Sequence, residues 1–266
     1  MSHTAYLEHN GPIPLAHRGF STSGLENSMA AFQAAIDLGF RYLETDVHAT
    51  ADGVLVAFHD ASLDRVSDGT GVIAAMPWEQ VARARIGGTE EIPRLEEMLH
   101  TWPQARFNID IKSAGAIGPL VRVIERTRAH DRVCVTSFSD ARRRLAVRRL
   151  TRPVVTSAGQ ATTARFRLAA TTFRARPGAG IRRRAAAVRA ALHDVDGLQV
   201  PVSFRGVPVV TAQTVAAAHA AGRFVHVWTI NDEAEMHRLL DLGVDGIVSD
   251  RADLLKQVLV ARGQWS

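Results

Sequence analysis

The sequence predicts an α/β protein folded as a (β/α)8 TIM barrel, with a small insertion after its second strand. Three observations carry that prediction. The chain has 266 residues, 46% hydrophobic and 22% charged, which suits a barrel that takes about 250 residues as one domain. Short apolar runs alternate with stretches of helical periodicity in a repeated βα rhythm. Of the nine strand candidates, two stand too close together to be parallel neighbours, and setting one of them aside leaves eight. The expected organisation is a single domain over residues 1–266, with the insertion at about 48–92.

The elements follow in order. Ile13 to Ala16 reads as the first strand, and Asn27 to Leu38 as a helix stopped by Gly39, a glycine C-cap. Tyr42 to Val47 is the second strand, and Val54 to Phe58 is the candidate set aside. Only the six residues 48–53 separate these two, whereas a parallel crossover needs about a dozen or more. They must therefore form an antiparallel hairpin. Asp52-Gly53 predicts a two-residue type I′ turn, whose register sets Asp46 opposite His59. Residues 61–92, with "SDGTG" and "IGG", predict an insertion over the barrel mouth. From there strands and helices alternate. A helix from Pro93 to Thr101 leads to the strand Phe107 to Ile111, and one from Pro119 to Ala129 to Val133 to Ser137. Asp140 to Leu150 leads to Val154 to Ser157, Arg182 to His193 to Leu198 to Val200, and Thr211 to Ala221 to Val225 to Ile230. Asp232 to Leu242 precedes the last strand, Gly246 to Ser249, and Ala252 to Ala261 is the closing helix.

Composition excludes several function classes. Cys134 is the single cysteine, so there is neither an intramolecular disulfide nor a cysteine-based zinc site. No apolar run reaches the roughly 18 to 20 residues of a membrane span, and the first residues lack the pattern of a signal peptide. A cytoplasmic location is expected. The net charge of +5 is unevenly placed, since residues 141–190 hold fourteen arginines and no acid. These read as solvated outer faces of helices, able to make weak contact with an anionic membrane surface. The stretch lacks the aromatic residues that single-strand binders interleave, so nucleic acid is not the expected partner. Lysine, by contrast, occurs only at 112 and 256, and Lys112 lies in an apolar strand, which suggests a specific need for it there.

Active sites of such barrels form at the C-terminal ends of the strands. His17-Arg18-Gly19 ends the first strand, Glu44 and Asp46 share a face of the second, and the hairpin returns His59-Asp60. Asn108, Asp110 and Lys112 stand on the third strand, and His226 and Trp228 on the seventh. Residues two apart on a strand point the same way. A single inward acid would ordinarily pair with Arg18 or Lys112. Three acids beside two histidines instead favour an oxygen-rich site for a hard divalent cation, Mg²⁺ or Ca²⁺. Two histidines flanking such a site fit general acid and base work, and Arg18 and Lys112 supply positive charge for a phosphate.

Several spaced segments, "LAHRG", "LENSMAAFQAAIDLGFRYLETDVHATADGVLVAFHD", "LDRVSDGTG", "NIDIK", "VWTIND" and "DGIVSD", together resemble the glycerophosphodiester phosphodiesterase family. The resemblance runs from about residue 13 to 255. It implies hydrolysis of a small-molecule glycerophosphodiester to glycerol 3-phosphate and an alcohol, with one divalent cation. It assigns His17 and His59 as the acid and base, Glu44 and Asp46 as metal ligands and Arg18 as a phosphate contact. Two positions depart from the family pattern. Asp110 stands where the family usually has the Glu of an E-x-K motif, so the third ligand is one methylene short. That Asp is shared with the related sphingomyelinase D enzymes, which with lysophospholipase D form the alternative reading of the substrate. Leu25-Glu26-Asn27-Ser28 replaces Pro-Glu-Asn-Thr, and Glu26 either bonds into the site or caps the helix that follows. Trp228 either stacks on a substrate head group or packs the barrel.

Overall fold

A computed structural model describes residues 5–171 and 181–266. Its barrel strands are β1 (Ile13–His17), β2 (Tyr42–Ala49), β3 (Arg106–Ile111), β4 (Val133–Thr136), β5 (Val155–Thr156), β6 (Gly197–Pro201), β7 (Phe224–Trp228) and β8 (Gly246–Ser249). They pair in parallel in the order β5-β4-β3-β2-β1-β8-β7-β6. A parallel bridge between Ser157 and Gly197 joins the two ends and closes the barrel. The outer helices are α1 (Met29–Asp37), α2 (Leu95–Thr101), α3 (Ile117–Thr127), α4 (Asp140–Val147), α5 (Gln160–Thr171), α6 (Ile181–Ala191), α7 (Ala212–Ala220), α8 (Glu233–Asp241) and α9 (Ala252–Ala261). Among the described residues, no helix is long and apolar enough to cross a membrane.

Strand alternation divides the core in two. On β2 and β3, Leu43, Val47, Phe107, Ile109 and Ile111 face the helices. Tyr42 points inside the barrel with Leu15, Cys134, Val155 and Val248. Helix α3 shows how the helical layer answers: Ile117, Leu120, Val123 and Ile124 are buried on one stripe, the i, i+3, i+6, i+7 spacing of an amphipathic helix. Truncating Phe107 to alanine would cost about 3–5 kcal/mol, the cavity left by a lost core aromatic.

The hairpin after β2 forms, but one residue out of the predicted register. Its return strand, Leu55–Ala57, pairs Val47 with Ala57, His48 with Val56 and Ala49 with Leu55. The Phe58 amide continues the ladder to the Asp46 carbonyl at 2.9 Å. Asp46 therefore faces Phe58, not His59. Asp52 is absent from the residues with positive φ while Gly53 has φ +81°, so the turn is not type I′, which needs both. A turn closed from the Gly53 amide to the Thr50 carbonyl at 3.0 Å leaves a three-residue loop with glycine in the left-handed position, the G1-bulge hairpin. Thr50 enforces it: its hydroxyl donates to Asp52 at 2.5 Å and accepts from the Val54 amide at 2.9 Å. The insertion beyond carries its own apolar cluster, including Val56, Phe58, Leu63, Ile73 and Ile86.

Two further differences concern the arginine-rich half. Helix α5 and the small hairpin Ser203–Phe204 with Val207–Pro208 are additions that the sequence pattern did not reveal. The arginines are also not simply a solvated face. Arg143 is 1% exposed and donates to Asp194 at 2.7 Å, with Arg144 on the same oxygen. The middle of the stretch, residues 172–180, lies outside the described residues.

Candidate active site

The site starts at the end of β1. Arg18 and Asn27 hold left-handed φ angles of 54° and 58°, and the Asn27 amide donates to the Arg18 carbonyl at 2.9 Å. Gly19 follows at φ +86°, where a Cβ would stand 2.6 Å from the Ala31 backbone. Only glycine lets this turn lie against the start of α1. Ser28, not Glu26, caps that helix by accepting the Ala31 amide at 3.1 Å. Glu26 is thereby left to face the site, where it takes the Arg18 guanidinium at 3.0 Å and the Arg65 guanidinium at 2.6 Å.

Strand register then builds layers. His17 pairs with Glu44 and Glu44 with Asn108, while one step higher Asp46 pairs with Asp110. The His17 Nε2 is 3.7 Å from a Glu44 oxygen. Lys112 sends its ammonium to Asp46 and Asp110 at 2.8 Å each, and the Arg18 Nε stands 2.9 Å from the other Asp46 oxygen. His59 reaches the same cavity by the chain's bend after the return strand, so the site gathers despite the shifted register. His17, Arg18, Glu44, Asp46, His59, Asp110, Lys112 and Trp228 all line one cavity of about 820 Å³.

Each of the two histidines has a carboxylate behind it. The His17 Nδ1 is 2.6 Å from Asp250, and the His59 Nδ1 is 2.6 Å from Asp60. An ionised carboxylate only accepts, so each Nδ1 carries a hydrogen, and in the neutral imidazole each Nε2 keeps its lone pair. Asp250 is itself held by the Asn231 side-chain amide at 2.7 Å, and its backbone amide donates to the same Asn231 at 2.9 Å. Asp60 is held by Arg65, whose Nε donates at 2.5 Å while its other arm grips Glu26. Arg65 thus ties the support of His59 to the support of Arg18.

Charge in the site is crowded. Burial, followed by the neighbouring Asp46 charge, pushes the Glu44 carboxyl up to about 7. Burial likewise raises Asp110 against the pull of Lys112. For Asp46, burial works upward but Lys112 and Arg18 outweigh it and hold the carboxyl low. His17 would be lowered by burial, yet Glu44 and Asp250 raise it overall. The hydrogen bond from Arg65, with help from His59, holds Asp60 down to about 2.

The three acids do not stand as a formed ligand set: among the described residues no group of three His, Cys, Asp or Glu side chains is drawn together closely enough to hold an ion. Lys112 and Arg18 take up Asp46 and Asp110 instead. Their chemistry nevertheless fits a hard cation. One oxygen of Asp110 is buried without a hydrogen-bond donor, and Glu44 lies in the same cavity with its charge disfavoured, oxygens that an oxygen-seeking ion would satisfy.

Sequence reasoning misplaced one residue and missed others. His226 faces into the barrel like Trp228 but a layer lower. It is fully buried against the Phe224 ring at 4.3 Å, next to the space left by Gly246, and desolvation pushes it down to about 3. It is a neutral core residue away from the cavity. Trp228 does stand on the cavity wall, edge-on to Phe138 at 5.6 Å. Asp250, Asn231 and Arg65 were not singled out. The one available signal was their place in the quoted "DGIVSD", "VWTIND" and "LDRVSDGTG" segments.

A closed parallel barrel whose polar residues gather at the C-terminal mouth is the architecture of a barrel enzyme. Residues 17–254 match the glycerophosphoryl diester phosphodiesterase family. A probable glycerophosphodiester phosphodiesterase 2 of Mycobacterium tuberculosis is 49% identical over 98% of this chain and 95% of its own. A glycerophosphodiester phosphodiesterase of Bacillus altitudinis is 28% identical over 90% of this chain and 94% of its own. In three dimensions the chain is similar to a phosphodiesterase of Oleispira antarctica solved in complex with the product sn-glycerol-3-phosphate. That likeness has a TM-score of 0.74 and 25% identity over 94% of this chain and 97% of the other. The fold recurs in a glycerophosphoryl diester phosphodiesterase from Silicibacter pomeroyi, with a TM-score of 0.77 at 22% identity and 98% coverage of both chains. The chain belongs to the glycerophosphoryl diester phosphodiesterase family and is a phosphoric diester hydrolase acting on glycerophosphodiesters.

Proposed function

We propose that this enzyme cleaves glycerophosphodiesters to glycerol 3-phosphate and an alcohol, with His17 and His59 as the general acid and base. The supporting observation is that both imidazoles meet in one cavity, each with its Nδ1 held by its own carboxylate. One Nε2 takes the proton of the attacking hydroxyl, and the other delivers a proton to the departing alcohol oxygen. Arg18 and Lys112 bind the phosphate oxygens, and Glu26 orients the Arg18 fork from behind. Trp228 contacts the substrate from the cavity wall. Glu44, Asp46 and Asp110 would hold one divalent cation, Mg²⁺ or Ca²⁺. When bound, that ion supplies charge neutralisation at the phosphate. Because phosphoryl transfer asks little covalent chemistry of the protein, positioning and charge carry most of the rate.

The test is release of glycerol 3-phosphate from glycerophosphocholine. His17→Ala and His59→Ala should each lower turnover by about 10²–10⁴-fold while circular dichroism stays that of the wild type. Wild-type turnover in either variant would remove the acid–base assignment. Exhaustive chelation should abolish activity and added Mg²⁺ or Ca²⁺ restore it; full activity after chelation would remove the metal.

A further inference from the structure

The ladder between β2 and its return strand ends at the Phe58 amide, which donates to the Asp46 carbonyl at 2.9 Å. Beyond it the chain leaves the sheet, and among the described residues no backbone-to-backbone hydrogen bond involves His59 or Asp60. The His59 ring is held by Asp60 at 2.6 Å, but these two residues are adjacent and travel together. That bond fixes the rotation and tautomer of the ring. It does not fix where the ring stands relative to β2, the strand that carries Glu44 and Asp46.

A side chain of β2 supplies the missing tie. His48 follows Asp46 by two positions on the strand, so the two side chains share a face. Val56 of the return strand stands opposite His48, and His48 is 5% exposed. Its Nε2 lies 3.1 Å from the carbonyl oxygen of His59. A carbonyl only accepts, so this Nε2 carries a hydrogen and donates it. Among the described residues it is the one hydrogen bond to the backbone of His59. His48 does not line the catalytic cavity, whereas His59 does, so an effect of His48 on turnover has to pass through a neighbour.

We propose that His48 is a positioning residue for the reaction: its Nε2–H, mounted on β2, holds the backbone of His59 and so keeps the His59 imidazole at its place in the cavity. This role rests on the acid–base function proposed for His59. Strand β2 then sets both members of a pair, Asp46 by its own side chain and His59 through His48. The spacing between them is built into one rigid strand and does not depend on the loop that follows. A reacting group displaced by about 1 Å loses about 10²-fold in rate, so loosening the root of His59 reads directly in kcat.

The experiment compares His48→Leu, which removes the donor, with His48→Gln, whose amide nitrogen stands as many bonds from Cα as the imidazole Nε2. With glycerophosphocholine and the divalent metal supplied, His48→Leu should lower kcat about 10–100-fold and leave KM within about twofold, and His48→Gln should recover most of the loss. In a His59→Ala background, His48→Leu should cost nothing further, because the two residues act as a unit. Hydrogen–deuterium exchange reads the same tie without turnover: the amides of residues 59–61 should exchange faster in His48→Leu and at the wild-type rate in His48→Gln. His48→Ala gives the same comparisons if leucine prevents folding. Wild-type kcat without the donor, an equal loss in the His59→Ala background, or unchanged exchange at residues 59–61 would each overturn the positioning role. Wild-type turnover in His59→Ala alone would instead fault the acid–base function, and the exchange rates would still decide whether His48 holds this segment.

Discussion

Replacing Glu44 by glutamine should stabilise the metal-free protein at alkaline pH and, under the proposed mechanism, inactivate it. The Glu44 carboxyl starts from an ordinary value of 4.5 and is pushed up to about 7, by burial first and the Asp46 charge second. A group with a raised value binds its proton more tightly in the folded chain than in the unfolded one. Stability therefore falls as pH climbs from about 4.5 to 7, and the full cost is carried above that window. At 1.36 kcal/mol per pH unit the span corresponds to about 3 kcal/mol, an upper figure because neighbouring charges readjust. Glutamine is neutral throughout and can still accept the Arg18 amide that Glu44 takes at 3.3 Å. In thermal melts after chelation, Glu44→Gln should exceed the wild type by roughly 5–10 °C at pH 8 and match it near pH 4.5. Added Mg²⁺ or Ca²⁺ should raise the wild-type melting temperature and leave the variant unmoved, since binding to the folded state alone stabilises it. A melting difference that does not change between pH 4.5 and 8, or a variant less stable at pH 8, would refute the charge-crowding argument.

The supports of the two histidines give further expectations. Asp250→Asn offers His17 an amide that can turn its donor toward Nδ1 and so favour the wrong tautomer. Turnover should fall by about 10²–10⁴-fold with KM nearly unchanged, and a loss of under about threefold would argue against a role for Asp250 in holding His17. Arg65→Ala should lower kcat by about tenfold, while its effect on melting stays within the ~1 kcal/mol of an exposed ion pair. Arg65→Lys should not restore the rate, because one ammonium cannot bridge Glu26 and Asp60 as the planar fork does; full recovery with lysine would reduce Arg65 to a point charge.

The barrel was readable because its signal is local. Strand alternation and glycine-stopped helices repeat along the chain, and a short connection by itself rules out a parallel crossover. The hairpin register failed for a reason also local but finer: Asp-Gly favours a two-residue turn, while the Thr50 hydroxyl, bonded to both Asp52 and Val54, closes a longer one. Helix α5 escaped because its buried residues are Thr162, Phe166 and Ala170, only one of them large and apolar, so no apolar stripe stands out along it. His17, Glu44 and Asp46 could be gathered from strand ends alone. Asp250 could not, because it is 233 positions from His17 and meets it only where β8 returns beside β1. Arg65 is likewise 39 positions from Glu26, across an insertion that no strand rule places. His226 shows the converse, since alternation gives the direction of a side chain but not its depth in the barrel.

The bridge that joins β5 to β6 also bears on how the molecule breathes. That closure rests on the Ala158 amide to the Gly197 carbonyl at 3.0 Å and the Asp196 amide to the Thr156 carbonyl at 2.8 Å, beside a strand of only two residues. A sheet opens most cheaply where its ladder is shortest, so these two amides should exchange with solvent well before those of β2 and β3. Helix α5 leaves one side of that seam and the Ser203–Pro208 hairpin leaves the other. The line along which the cylinder parts most readily is thus the line between α5 and the hairpin, which face each other across the cavity, and widening it leaves the β1–β3 side, with His17, Asp46 and Asp110, in place.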